Sequence, residues 1–180
     1  HDPVYKVSII PRGRALGITM FLPERDSVSM SKRKLESQIA SLYGGRIAEE
    51  LFAGPDGITT GASNDIERAT LLATKMVTEW GMSDNLKPLK YLEESNGYNG
   101  RQVSLGPGHI NDEIEEEIEL IIERNYTRAR EIIVNNWEKM EKLVRLIMKH
   151  ETIELDQIEK VLGKTTRVKN GRNKSKTHIG

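Results

Sequence analysis

From residue 31 onward, apolar side chains recur at intervals of three and four. That period constrains what this chain can fold into more than any other feature. Leu35, Ile39, Leu42, Tyr43, Ile47 and Leu51 form one stripe, and Ile66, Ala69, Thr70, Ala73, Met76, Val77 and Trp80 a second. Ile114, Ile118, Ile121, Ile122, Tyr126, Ala129, Ile133 and Trp137 form a third. The spacing predicts a helix from Ser31, whose hydroxyl can cap it, to about Phe52. A second helix is expected from Ser63 to Trp80, stopped by Gly81. A third, capped by Asn111, should bend near Asn135-Asn136 and run to about Lys149. A short helix from Leu155 to Leu162 should end at Gly163.

Ahead of the helices the period changes to two. Tyr5, Val7 and Ile9 alternate with Lys6 and Ser8, and Ile18, Met20 and Leu22 alternate with Thr19 and Phe21. Pro11-Arg12-Gly13-Arg14 separates the runs and Pro23 ends the second. Two short strands are expected, with Tyr5, Val7 and Ile9 on one face. The fold class is therefore mainly α (α+β), a helical domain with a small N-terminal β unit.

Two glycine features interrupt the pattern. Gly44-Gly45 falls inside the expected first helix, where each glycine costs about 1 kcal/mol relative to alanine. Either close helix packing or a nearby site would explain the missing side chains. Residues 83–110, with glycine at 97, 100, 106 and 108, read as a long connection, a length that suggests function or mobility.

Charge and composition remove several classes. The chain of 180 residues has 27 basic and 27 acidic side chains, which excludes nucleic-acid binding through global charge. The zero is a cancellation. Residues 164–180 hold six basic residues (Lys164, Arg167, Lys169, Arg172, Lys174, Lys176) and no acid, so the first 163 carry a net of −6. The tail has little to bury and is expected to be disordered. A solubilising terminus is its plainest role; contact with phosphate groups or a membrane surface is the sharper one. Cysteine is absent, so no disulfide, thiolate ligand or thiol nucleophile exists. Neither a signal peptide nor an apolar run of roughly 18–20 residues is present. The start at His1-Asp2-Pro3, without methionine, suggests a piece of something longer.

Several motifs are decoys. Gly163-Lys164-Thr165 resembles the end of a phosphate loop, but Ile158 stands where that loop needs glycine. His150-Glu151 resembles the start of HExxH, but Glu154 occupies the second histidine position. The four histidines, His1, His109, His150 and His178, are dispersed. The acidic run Asp112, Glu113, Glu115, Glu116 and Glu117 suits the positive end of a helix and reads as a solvated first turn.

The strongest local candidate is Thr60-Gly61-Ala62-Ser63-Asn64-Asp65-Ile66. A glycine turn enters a helix, with a hydroxyl able to cap it and Asp65 in the first turn. The helix amino terminus favours an ionised Asp65. That suits a metal ligand, which must be deprotonated. Spacing alone favours the plainer account, an aspartate placed for the helix dipole.

At this point the chain resembles a known family. The stretches HDPVYKVSIIPRGRALGITMFLPE, KLESQIASLYGGRIAEELFAGPDGITTGASNDIERATLLATKMVTEWGMS, IERNYTRAR and ETIELDQI resemble the protease domain of the FtsH family, over roughly residues 1–163. These are membrane-anchored, ATP-dependent zinc metalloproteases of the AAA class. The resemblance implies that Asp65 is the aspartate ligand of a catalytic zinc and that Glu49 lies near the site. Glu49 has a plainer reading, an ion pair with Arg46 three residues back on the same helix. Gly17, Ile18, Thr19 and Met20 become a candidate edge for extended substrate, or else a buried structural strand.

The resemblance further implies a homohexamer acting on unfolded polypeptides and membrane proteins, with ATP bound by a separate module absent from these residues. It implies anchoring in the inner (plasma) membrane through absent segments, this domain on the cytoplasmic side, and no nucleic-acid partner. The family's HExxH segment is missing, and with it two histidine ligands and the general base, so no catalytic residue is assigned here. Residues 1–163 are thus expected to be a peptidase domain truncated at its front, followed by the tail 164–180. Alone, the piece should be soluble and should neither hold zinc tightly nor cleave peptides. The alternative is a non-catalytic helical assembly or adaptor module derived from that family.

Overall fold

A computed structural model describes residues 4–13, 16–22, 29–95, 102–105 and 108–164. The tail beyond Lys164 and the middle of the 83–110 connection lie outside the described residues. The chain divides into two compact units, one of residues 25–140 and one joining residues 2–24 to 141–180.

The larger unit is helical. α1 spans Lys32–Leu42 and α2 Gly44–Ala53. Short 3-10 turns at Pro55–Gly57 and Thr60–Ala62 lead into α3, Ser63–Thr78. α4 spans Gly108–Asn135. Ser31 caps α1 as expected, its Oγ accepting the Lys34 N–H at 3.3 Å. The stripes meet in one core. Leu35, Ile39 and Tyr43 pack with Ile47, with Ala69, Ala73, Met76 and Val77 of α3, and with Ile114, Ile121 and Ala129 of α4. Fully burying each large aliphatic side chain contributes about 1.5–3 kcal/mol. Ile66 and Trp80 depart from the expected stripe and are exposed.

The single helix expected over 31–52 is two helices. The break falls at Tyr43, whose N–H still reaches the Ile39 carbonyl at 3.4 Å. A Cβ on Gly44 or Gly45 would meet nothing within 4 Å, so close packing is not their reason. A glycine pair weakens the helix where it breaks. At the end of α3, Gly81 has φ +59, and the Met82 N–H bonds the Met76 carbonyl at 2.8 Å. The left-handed residue lets the chain reverse and satisfy a terminal carbonyl. A Cβ there would sit 2.9 Å from the Pro88 Cβ, so the reversal also needs the space glycine leaves.

Two further expectations change. The 83–110 connection holds an antiparallel pair, β3 (Leu92–Ser95) with β4 (Gln102–Leu105). α4 begins at Gly108 rather than behind an Asn111 cap. Its acidic start is not wholly solvated. Glu117 is buried in the stripe and accepts the Asp84 N–H at 2.9 Å and Asn85 Nδ2 at 2.7 Å. Asp84 in turn pairs with Lys32 and with Arg124, which also grips Glu36. The Lys32 and Arg124 bonds hold the Asp84 carboxyl below its ordinary range. α4 ends at the expected bend, where the Asn136 N–H bonds the Ile133 carbonyl at 3.1 Å. α5, Trp137–His150, follows, and the division between the units falls within it.

In the smaller unit, β1 (Val4–Ser8) is central in the order β2-β1-β5, all antiparallel. β2 is Ile18–Phe21 and β5 is Thr152–Glu154, a strand too short to show a period in the sequence. The buried end of β1 is polar. Ser8 is buried, its Oγ 2.8 Å from Thr152 Oγ1, while Tyr5 and Ile9 are exposed. A register shift between Val4 and Lys6 disturbs the alternation further. α6, Leu155–Leu162, starts with a capping box between Glu154 and Gln157 and stops at Gly163, φ +88. No helix among the described residues is long and apolar enough to cross a membrane.

Candidate functional site

The stretch that joins α2 to α3 leads to the candidate ligand. Thr59 is extended, at φ −110° and ψ 172°, and caps the 3-10 turn Thr60–Ala62. Its Oγ1 accepts the Gly61 N–H at 3.1 Å. That turn runs directly into α3, placing Asp65 third in the helix. The hydroxyl expected to cap α3 from the Thr60–Ser63 segment does not do so: Ala62 stands at the α3 N-cap with no side-chain bond, and Thr59 caps the preceding 3-10 turn instead.

Asp65 is half-buried. Its carboxylate makes no hydrogen bond or ion pair with another described residue. Both observations suit a side chain kept available as a ligand. Among the described residues, however, no three His, Cys, Asp or Glu side chains converge on a metal position. A catalytic zinc takes three protein ligands, so these residues fit one carboxylate share of such a site and no more.

Glu49, half-buried on α2, does not pair with Arg46 as its plainer reading held. Thr59 Oγ1 donates to Glu49 Oε1 at 2.7 Å, and the Thr59 N–H donates to Oε2 at 3.3 Å. These two bonds, with a lesser contribution from the Arg46 charge, hold the Glu49 carboxyl below the usual carboxylate range. Arg46 lies 3.6 Å from the neighbouring Glu50, one helical turn on. Glu50 also accepts the Tyr126 hydroxyl at 2.7 Å and lies 3.8 Å from Arg130. Burial, then the hydrogen bond to Glu50 and its charge, push the Tyr126 hydroxyl pKa up. The Tyr126 ring meets Tyr43 edge to face, with centroids 5.3 Å apart.

The remaining candidates, Gly17, Ile18, Thr19 and Met20, belong to the other compact unit. Among the described strands β2 is an outer one of its sheet, and all four of its residues are exposed. The buried structural strand that was the competing expectation is not what the structure shows. Gly17 precedes β2 at a close approach, where a Cβ would lie 2.9 Å from the Ser8 carbonyl oxygen.

Thr59 is the residue the sequence reading missed. A signal was available, because a hydroxyl two residues before a glycine often closes a local turn on the backbone.

The described residues thus form a helical unit that presents an unpaired carboxylate just after a capped turn, in a chain that also carries a small sheet. The sequence pattern of peptidase family M41 matches residues 1–161, and the chain belongs to that family. It is 51% identical over 174 residues to the ATP-dependent zinc metalloprotease FtsH of Photobacterium profundum, covering 94% of this chain and 25% of that protein. It is 48% identical over 169 residues to the protein of that name from Haemophilus influenzae, covering 91% and 26%. With FtsH of Buchnera aphidicola subsp. Acyrthosiphon pisum, identity is 50% over 167 residues, covering 90% and 27%. The chain thus spans about a quarter of the length of the curated relatives it matches.

Proposed function

We propose that this chain is the helical peptidase portion of a membrane-anchored, ATP-dependent zinc metalloendopeptidase. Residues 1–163 form the peptidase part and 164–180 a basic tail. Asp65 supplies one carboxylate ligand to zinc. The observation that carries this reading is the unpaired Asp65 carboxylate at the head of α3, in a chain whose family relatives are named zinc metalloproteases. Bound zinc would activate water and polarise the scissile carbonyl. These 180 residues contain no HExxH. The other ligands and the general base therefore lie outside them, and the 180-residue polypeptide alone neither holds zinc tightly nor cleaves peptides. In the whole protein, a separate module binds ATP and subunits assemble as a hexamer. Unfolded and membrane proteins are the substrates, and the peptidase part faces the cytoplasm from the inner membrane.

The test is cleavage of an unfolded polypeptide by the full-length protein. ATP-dependent cleavage that stops on chelation and returns with zinc is expected. Cleavage that persists in chelator sinks the zinc reading, and no cleavage under any condition favours a non-catalytic assembly module.

For β2 we propose a substrate-pairing edge over Gly17–Met20. An outer strand leaves N–H and C=O groups free, and an extended peptide can add to them. Thr19→Pro and Met20→Pro each remove one N–H from the strand. Whichever N–H faces outward, its loss should raise KM for an unfolded substrate about fivefold to tenfold, given about 1 kcal/mol per hydrogen bond. Unchanged KM and turnover in both variants argue against pairing.

A further inference from the structure

We propose that Glu49 and Thr59 form a clasp that fixes the turn delivering Asp65, which makes Thr59 a positioning residue for the metal ligand. The inference rests on the reading of Asp65 as a ligand.

Thr59 uses three groups at once. Its O–H and N–H go to the two oxygens of Glu49, at 2.7 and 3.3 Å, and its Oγ1 accepts the Gly61 N–H at 3.1 Å. The hydroxyl therefore acts as donor and acceptor together, passing the position of α2 to the turn that opens α3. α2 is a firm reference, because Ile47 on it is wholly buried in the core. The turn closes tightly over the pair. A Cβ on Gly61 would lie 3.2 Å from Thr59 Oγ1 and 3.6 Å from Glu49 Oε1. Asp65 makes no bond to another described residue, so its placement depends on the backbone that carries it. Groups that orient a ligand from behind are a general requirement of metal sites.

Thr59→Val keeps the side-chain shape and removes both hydroxyl bonds; Thr59→Ser keeps the hydroxyl. Both are to be made in the full-length protein, with zinc affinity read by competition against a chromophoric chelator. Hydrogen exchange across residues 59–62 is followed in the same samples. Thr59→Val should lower zinc affinity by roughly 10–100-fold and speed exchange across the turn, and Thr59→Ser should restore both. Wild-type zinc affinity in Thr59→Val overturns the clasp, as does a Thr59→Ser variant no better than Thr59→Val. If Thr59→Val does not fold, Glu49→Gln carries the same test, because the two Thr59 bonds go to two different oxygens and an amide replaces one of them with a donor nitrogen. Asp65→Asn separates the two levels of the argument. Zinc lost in Asp65→Asn but kept in Thr59→Val removes the clasp alone. Zinc kept in Asp65→Asn removes the ligand reading and the clasp with it.

Discussion

Asp65→Asn in the full-length protein is expected to lower zinc affinity and kcat/KM by more than the roughly 100-fold that marks the upper range for losing an outer partner of a metal ligand. The change is nearly isosteric. It replaces an anionic oxygen donor by a neutral amide, and a dication loses most from the missing charge. The helix itself loses little. An acidic residue near a helix amino terminus contributes about 0.3–1 kcal/mol, so the fold should survive. No described residue relies on the Asp65 carboxylate for a bond, which removes the usual structural route to a large effect. Zinc content after dialysis against graded chelator, read beside turnover of an unfolded substrate, checks the prediction. A variant that keeps both at wild-type values would show that Asp65 is not a ligand.

Ile39→Ala is expected to cost about 2–5 kcal/mol of stability, a large share of the roughly 5–15 kcal/mol available to a domain. Ile39 is wholly buried in a core cluster with Ala69, Ala73, Met76 and Val77 of α3 and Ile114 and Ile121 of α4. Truncation loses transfer energy and opens a cavity that three helices must move to close. Leu71, on the open face of α3 and 54% exposed, provides the contrast. Leu71→Ala should stay within about 0.5 kcal/mol. Urea unfolding of the 180-residue polypeptide reads both changes. A loss below about 1 kcal/mol for Ile39→Ala would mean that α1, α3 and α4 do not share one tight core.

The helices were legible because each buries a stripe, and a stripe is written in local spacing. Ile39, Met76 and Ile121 are core residues for the reason their intervals suggest. The α1–α2 break was not legible, because Tyr43 continues the stripe across it and only the glycine pair hints at the interruption. β5 has three residues, too few to show alternation, and its partner β1 lies more than 140 residues away. The burial of Ser8 was not legible either, because its hydroxyl partner Thr152 lies on that distant strand.

At the candidate site, the position of Asp65 in a first helical turn could be read locally. The proposal that it is a ligand could not, and entered with the family resemblance. Glu49 shows the limit most clearly. Helical spacing offers Arg46 as a partner, whereas the carboxylate is held by Thr59 ten residues on, across a turn that no period encodes.

Glu117 and Asn125 sit among isoleucines on the buried face of α4, and this has a consequence for alignment. An all-isoleucine seam would pack nearly as well if the helix slid by one turn, about 5.4 Å. With Glu117 in the seam, that slip would carry a carboxylate away from the Asp84 and Asn85 donors into apolar surroundings. Breaking a buried charge away from its partners costs about 3–5 kcal/mol, enough to depopulate the shifted state by a factor of more than a hundred. The carboxylate thus acts as an index mark: it permits one alignment of a 28-residue helix and penalises its neighbours.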